Sequence, residues 1–423
     1  MFSFYLASIL ALSQLACAGF GASSQSNIAV YWGQNSYGQA TSQQRLSTYC
    51  SNTKFNIIPL AFLTGISTPT TNFANAGNNC TVYSGTNLWD CPQLEEDIKT
   101  CQNTYSKTIL LSLGGSTYAE GGFDSSATAK TNATNIWNLF GPNTTFANRP
   151  FGTAVVDGFD FDFEATTKNT APFAQQLRDL MTSATGKTYY LAAAPQCPYP
   201  DTATNDILTN VSLDFVMVQF YNNYCGASSY TQGTTTQANF NFKTWDTWAK
   251  GSKNANVKVF LGVPASSGAA GSGYVNATGL ASVINYCKTF TSFGGVMMWD
   301  MSQMVANTGF LDGVYSALAT STTSTASTTS TTSTSKTSTS TTLITLTTST
   351  SKTSTSTSSL KTSTTSSPTP SSTTTTTSST KPSTTSTSSK TSTTTTSSKT
   401  STTTTSSKTS TTSSKATTTT RHR

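Results

Sequence analysis

The chain has 423 residues, of which only 10% are charged, and a formal net charge of +7. From about Ser321 onward it is almost wholly Ser, Thr and Lys, with eight Lys, two Arg and no acid; taking those ten from the 24 basic residues leaves 14 against 17 acids in the part that can fold. The basic excess belongs to the tail, and nothing in the composition of the first 320 residues points to a nucleic-acid partner.

The chain begins MFSFYLASILALSQLACAGF, an apolar run from Phe4 to Leu15 followed by Ala16-Cys17-Ala18. Such a run fits the core of a secretion signal with a small-x-small cleavage site and is too short to span a bilayer. No Lys or Arg stands near Met1, a departure from the usual pattern. Residues 1–18 are read as a signal peptide, residues 23–320 as one folded domain, and the product as secreted, extracellular or held in a cell wall. Cleavage after Ala18 leaves Cys50, Cys80, Cys91, Cys101, Cys197, Cys225 and Cys287, an odd set for an oxidising compartment. Sequons at Asn79, Asn132, Asn143, Asn210 and Asn276 are expected N-glycan positions on the surface.

Eight short β-rich runs follow. The first three are IAVYW (28–32), FNIIPLAFL (55–63) and TILLSLGG (108–115). The fourth, VDGFDFDFE (156–164), alternates acids with phenylalanine. Alternate side chains of a strand share a face, so Asp160, Asp162 and Glu164 point one way and Phe159, Phe161 and Phe163 the other. Asp157 falls on the Phe face and is read as support for the strand. Same-face neighbours lie roughly 7 Å apart. Three carboxyls that close in a partly dry interior resist ionising together, so at least one keeps its proton at neutral pH. A protonated carboxyl at the mouth of a pocket is what general acid catalysis on a glycosidic oxygen requires. A calcium site would draw its oxygens from a loop, and a solvated acidic face would not alternate with Phe.

After the acids, FAQQLRDLMTSATG places Phe173, Leu177, Leu180 and Met181 on one helical stripe, with Gly186 as its stop. The remaining strands are TYYLAAAP (188–195), DFVMVQFYN (214–222), VKVFLGVP (257–264) and FGGVMMWD (293–300). Between the last two, Leu280, Val283, Ile284 and Cys287 share a helix face, so Cys287 is read as a buried free thiol and six cysteines remain for three disulfides. Near-continuous apolar strands joined by helix-length gaps fit a (β/α)8 TIM barrel. An open doubly wound sheet lacks its Gly-rich phosphate loop here. Most runs end in a polar or aromatic group, among them Tyr31, Trp32, Phe62, Gly115, Glu164, Gln196, Tyr221, Asn222, Trp299 and Asp300, at the rim where such barrels keep their active sites.

The tail, 321–423, repeats Lys every nine residues at Lys381, Lys390, Lys399 and Lys408. Having nothing to bury, it is expected to be disordered and O-glycosylated, and it offers sugars and Lys charge for association with wall polysaccharide. It ends without the hydrophobic terminus of a lipid anchor, so no membrane anchor is expected. The only histidine is His422, which removes Ser-His-Asp, Cys-His and His-ligated metal chemistry from the domain. No metal or cofactor is expected, and carboxylate chemistry is the main option left.

DGFDFDFE (157–164) resembles the Asp-x-x-Asp-x-Asp-x-Glu signature of family 18 glycoside hydrolases. IAVYWGQN (28–35), SLGG (112–115), AAAPQCPYPD (192–201) and VQFYNNYC (218–225) look like the plant and fungal class III chitinases. The resemblance runs from about Asn27 to Leu318 and implies a monomeric enzyme acting on chitin and its oligosaccharides. It makes Glu164 the general acid, then base; Asp162 the partner that orients the substrate's acetamido group; Asp160 a proton-sharing neighbour; and Tyr221 the donor to the acetamido carbonyl. Family members use that carbonyl oxygen, not an enzyme group, as nucleophile. Trp299 would floor the reacting sugar, with Tyr31, Phe62, Gly115, Gln219 and Asn222 as further sugar contacts. The resemblance also implies disulfides Cys50 to Cys101, Cys80 to Cys91 and Cys197 to Cys225. An endo-β-N-acetylglucosaminidase uses the same acid motif, and a barrel that only binds glycans is the other reading. In such binding relatives the glutamate or its Asp partner is often replaced, whereas both stand here.

Overall fold

The strands are apolar on both faces, and the sheet they make is covered on both. In this computed structural model residues 19–320 are described; the expected signal peptide and the Ser/Thr/Lys-rich tail lie outside the described residues. The barrel strands are β1 (Asn27–Val30), β2 (Ile57–Gly65), β3 (Thr108–Gly114), β4 (Gly158–Asp162), β5 (Tyr190–Ala193), β6 (Phe215–Gln219), β7 (Lys258–Pro264) and β8 (Phe293–Trp299). Each pairs in parallel with its successor, and β1 pairs with both β8 and β2, which closes the (β/α)8 barrel. A short strand, Thr70–Thr71, adds antiparallel to β2, and Thr81–Val82 pairs with Trp89–Asp90 in a small hairpin that the pattern of the chain did not announce.

Helices α1 (Leu46–Cys50), α2 (Pro92–Asn103), α3 (Ser126–Phe140), α4 (Thr170–Ser183), α5 (Asn205–Asn210), α6 (Phe242–Gly251) and α7 (Ala277–Cys287) fill the crossovers, and α8 (Met301–Ala306) and α9 (Phe310–Ala319) follow β8. The expected stripes are the buried ones. Phe173, Leu177 and Met181 of α4 and Leu280, Val283, Ile284 and Cys287 of α7 are all buried, and Cys287 is a free thiol. No helix among the described residues is long and apolar enough to cross a membrane.

Strand parity divides the core in two. Ile28, Val30, Val216 and Val218 join the layer between strands and helices, whereas Ala29, Tyr31, Phe215 and Met217 fill the barrel interior. In β4 the outward face is Phe159 and Phe161, followed by Phe163 just beyond the strand; Phe159 packs on Trp137 of α3 and Phe161 on Phe173 of α4. Asp157, just below β4, takes bonds from Ile109 N (2.7 Å), Gln102 Nε2 (2.8 Å) and Lys187 Nζ (2.7 Å), and so fixes the strand's base.

Cys50 pairs with Cys101, joining α1 to α2; Cys80 pairs with Cys91; and Cys197 pairs with Cys225, joining the loops after β5 and β6. Among the sequons, Asn79, Asn143, Asn210 and Asn276 are exposed, while Asn132 is half-buried on α3.

The bottom of the barrel is shut by the start of the described chain. Phe20 inserts among Phe215 (4.5 Å), Tyr190 (5.1 Å) and Phe260 (6.4 Å between centroids), and its N–H donates to Thr108 Oγ1. Both ends of the domain meet at this closed end. Gln25 donates to the carbonyls of Lys288 and Phe290, and Lys288 Nζ to those of Ala317, Leu318 and Thr320. Removing the plug leaves a cavity in a stack of aromatic rings. Phe20→Ala is therefore expected to lower the unfolding free energy by about 3 kcal/mol, read as a drop in urea midpoint; an unchanged midpoint would show that the segment does not support the barrel.

Candidate active site

The site is built on the inward face of β4. In the strand register Ser112 lies beside Asp160, with Ala61 next to Ser112 and Ala192 next to Asp160. These small neighbours leave room for a carboxyl and for the Tyr31 ring. Asp160 is fully buried, and its Oδ2 accepts from Tyr31 Oη and Ser112 Oγ, both at 2.6 Å, while Oδ1 has no partner. Burial pushes its carboxyl up to about 6, although the bonds from Ser112 and Tyr31 pull the other way.

Asp162 stands one step higher on the same face and is 3% exposed. Its Oδ1 accepts from Gln219 Nε2 at 2.8 Å, and the same nitrogen donates to Ala194 O at 3.1 Å. Burial, then the charges of Glu164 and Asp160, hold the Asp162 carboxyl well above the usual carboxylate range, with Gln219 opposing them. Glu164 lies two residues beyond Asp162, past the end of the ladder, with its side chain open to solvent. The surrounding walls still strip enough water from it to raise its carboxyl, Gln219 lowers it, and the charge of Asp201 raises it further.

Above these acids is an open cleft. It brings together eight of the ten residues singled out in the sequence: Tyr31, Phe62, Asp162, Glu164, Gln219, Tyr221, Asn222 and Trp299. One wall is aromatic, with Phe62 stacked on Trp299 at 5.8 Å and Tyr31 leaning on Trp299 at 5.5 Å. The Tyr221 phenol is raised well above its usual value by burial and by the charges of Asp162, Glu164 and Asp160, so it stays a donor. Tyr31 is raised in the same way by burial and by Asp160 and Asp162.

Two singled-out residues do not line the cavity. Asp160 lies beneath its floor, consistent with a supporting part. Gly115 is a packing position instead of a wall: its φ is +79°, its N–H donates to Asp162 O at 2.7 Å, and a Cβ there would stand 2.8 Å from the Phe62 ring. Of the other rim groups, Trp32 turns into the outer core and donates to Gln44 O, and Asp300 is buried, capping α8 through Gln303 N and holding Ser36 N. Asn222 lines the cavity and also braces the next loop, its Oδ1 accepting from Ser272 N at 3.1 Å.

Five further residues line it: Gln34, Ser116, Ala194, Ala269 and Met297. Pleat parity could have found two of them, because Met297 shares a face with Trp299 and Ala194 with Ala192. Ser116 and Ala269 lie on loops and carry no such signal, and Gln34 is held by the carbonyls of Ala61 (2.8 Å) and Asn72 (3.0 Å). The Ala61–Phe62 and Trp299–Asp300 peptides are cis.

A closed barrel with one acid-rich strand opening into an aromatic-walled cleft is the arrangement of a glycosidase. The model of glycosyl hydrolases family 18 matches residues 27–414, and the chain belongs to that family. It is 53% identical over 317 residues to an endochitinase of Trichoderma harzianum, covering 74% of this chain and 98% of the relative. With a class III chitinase of Arthroderma benhamiae it shares 46% identity over 73% of this chain and 90% of the relative. Among solved structures it is similar to a xylanase and α-amylase inhibitor protein of Scadoxus multiflorus, with 31% identity, a TM-score of 0.56, and coverage of 69% of this chain and 98% of that one.

The buried acids leave a mark on stability. A carboxyl whose folded value is raised binds its proton more tightly in the folded state, so it destabilises the fold once it must ionise. Moving Asp160 from 3.8 to about 6 corresponds to about 3 kcal/mol lost as pH rises from 4 to 7, with Asp162 and Glu164 adding in the same direction. Urea unfolding across that range is expected to show stability falling with pH, and Asp160→Asn to flatten the fall; an unchanged slope in the variant would contradict the assignment.

Proposed function

We propose that the protein is a secreted endochitinase that cleaves β-1,4 bonds between N-acetylglucosamine units with retention of configuration and acts in fungal cell-wall remodelling or separation. The observation that carries the mechanism is the pair of acids at the cavity. Among the described lining residues the only carboxyls are Asp162 and Glu164, both from the end of one strand. A double-displacement glycosidase places its nucleophile and its acid on opposite sides of the bond, about 5 Å apart. Here Asp162 is buried, bonded to Gln219 and held toward its neutral form, which makes it a poor nucleophile but a good partner for an amide N–H. The substrate's own acetamido group is the remaining candidate.

In this reading Glu164 gives its proton to the glycosidic oxygen as the C1–O bond breaks and the leaving sugar departs with that proton. The acetamido carbonyl oxygen closes onto C1 from the opposite face, forming an oxazolinium ion. Asp162 accepts the acetamido N–H, while Tyr221 donates to the carbonyl oxygen. Water then attacks C1, giving its proton to the Glu164 carboxylate, and the ring opens. Two inversions leave the anomeric configuration unchanged. The Trp299 face suits the apolar side of the pyranose, and Ala194 and Met297 suit the acetamido methyl. The high identity to fungal enzymes named as chitinases supports chitin as substrate over a glycoprotein glycan, and the intact Asp162–Glu164 pair argues against a barrel that only binds.

Glu164→Gln is expected to lower turnover of chitin hexamer at least 100-fold, in line with the loss of a general acid, while the protein still folds. Nuclear magnetic resonance of the first products should show the β-anomer. Full turnover by the variant would remove Glu164 from the mechanism, and α-anomer as the first product would exclude retention. Because the acid must be protonated, kcat/KM is expected to fall as pH rises through the raised Glu164 value.

A further inference from the structure

Three polar side chains lie buried just past the floor of the cleft. Asp300, Ser302 and Gln303 are 1%, 2% and 2% exposed, and α8, which carries the last two, has six residues, too few to stand without tertiary support. Polar groups buried this deeply have to be partnered. Their partners come from two different loops.

In the barrel β8 lies between β1 and β7, so Trp299 at its end is flanked by the loop after β1 (31–45) and the loop after β7 (265–276). Gln303 reaches both. Its Nε2 donates to Ser36 O at 3.1 Å, and its Oε1 accepts from Ser266 Oγ, which itself accepts from Gly268 N at 3.2 Å. Neighbouring groups hold one loop each. Ser36 N donates to Asp300 Oδ2 (3.1 Å) and Tyr37 N to Ser302 Oγ (3.0 Å), while Asn307 Nδ2 donates to Ala265 O (2.8 Å). Among these groups the Gln303 amide alone joins one loop to the other.

Each loop supplies a wall of the cleft: Gln34, two residues before Ser36, and Ala269, three after Ser266, both line it. The second wall cannot set its own path. Its sequence from 266 to 273, SSGAAGSG, has no side chain larger than serine and three glycines, so its course depends on bonds at its ends, from Ser266 to Gln303 and from Ser272 N to Asn222 Oδ1. The floor is fastened separately. Trp299 O accepts from Ala265 N and Met301 N donates to Tyr31 O, both at 2.8 Å.

We propose that Gln303 is a positioning residue: by holding Ser36 and Ser266 it fixes the two loops beside Trp299, and with them Gln34 and Ala269, in the arrangement that receives the sugar on the Trp299 face. This assignment rests on the chitinase reading above. Without the amide the loops are ordered only when substrate arrives, and binding is weakened by that cost. Asp162, Glu164 and Tyr221 come from the ends of β4 and β6, so the bond-breaking step keeps its geometry.

Gln303→Leu stays close to the native volume and loses both bonds; Ser266→Ala, at a half-buried loop position, loses the bond on one side. KM for chitin hexamer is expected to rise about tenfold in the first and about threefold in the second, with kcat within about twofold of wild type and the fall of kcat/KM with pH unshifted. A role confined to stability would lower kcat through the fraction folded and leave KM alone. An unchanged KM in both variants overturns the proposal, and Ser266→Ala decides it if Gln303→Leu does not fold. The same loss is expected in the Kd of hexamer, read by tryptophan fluorescence, when each change is placed on Glu164→Gln. Absence of cleavage by the wild type would sink the chitinase reading, whereas an unchanged Kd would sink the part given to Gln303.

Discussion

A carboxyl at the centre of an apolar barrel is the constraint around which the rest of the site is arranged. Leaving a buried polar group without partners costs on the order of 1–3 kcal/mol or more, and Asp160 avoids most of that through the bonds from Tyr31 and Ser112. Those bonds need small residues on either side, and Ala61 and Ala192 occupy the flanking register positions. They also fix the Tyr31 ring, on which Trp299 and Phe62 pack in turn. With that base set, the pleat alone raises Asp162 into the cavity and leads to Glu164 at its mouth. The same strand meets the helices through Phe159 and Phe161, so the acids cannot shift in height without disturbing the outer core.

The barrel itself does not decide what the protein does. A solved structure with a similar fold is that of a xylanase and α-amylase inhibitor protein, so the function has to be argued from the side chains at the rim. In the mechanism proposed above, what separates a working site from a scaffold is the state of two neighbouring carboxyls. One is enclosed and bonded to Gln219; the other faces solvent and still feels the first. A shared proton between unequal environments is the usual physical route to an acid that works near neutral pH.

Much of this was legible in the chain because two periodicities were so clear. Alternation at 157–164 gave the facing of each acid, and the apolar runs located all eight barrel strands, though several proved shorter than their apolar stretches. β4 stops at Asp162 and β6 at Gln219, so Glu164, Tyr221 and Asn222 lie beyond the ladder. The stripes of α4 and α7 were visible for the same reason. Gly115 lies outside the cavity lining and lets Phe62 approach closely, and a glycine required for such packing looks the same in sequence as one required by a ligand. Ser116 and Ala269 were invisible, since their place depends on loop paths with no period at all. The small hairpin at Thr81–Val82 and Trp89–Asp90 was missed because two-residue strands leave no pattern.

Phe20, Gln25, Lys288 and Thr320 together give the domain a polarity. The two described ends are each tied to the segment around Lys288, at the base where the interior is stoppered by an aromatic ring. Among the described residues the mouth is built from internal loops alone. The described ends therefore bear on how the base is held together, and the cleft is shaped by the connections between strands and helices.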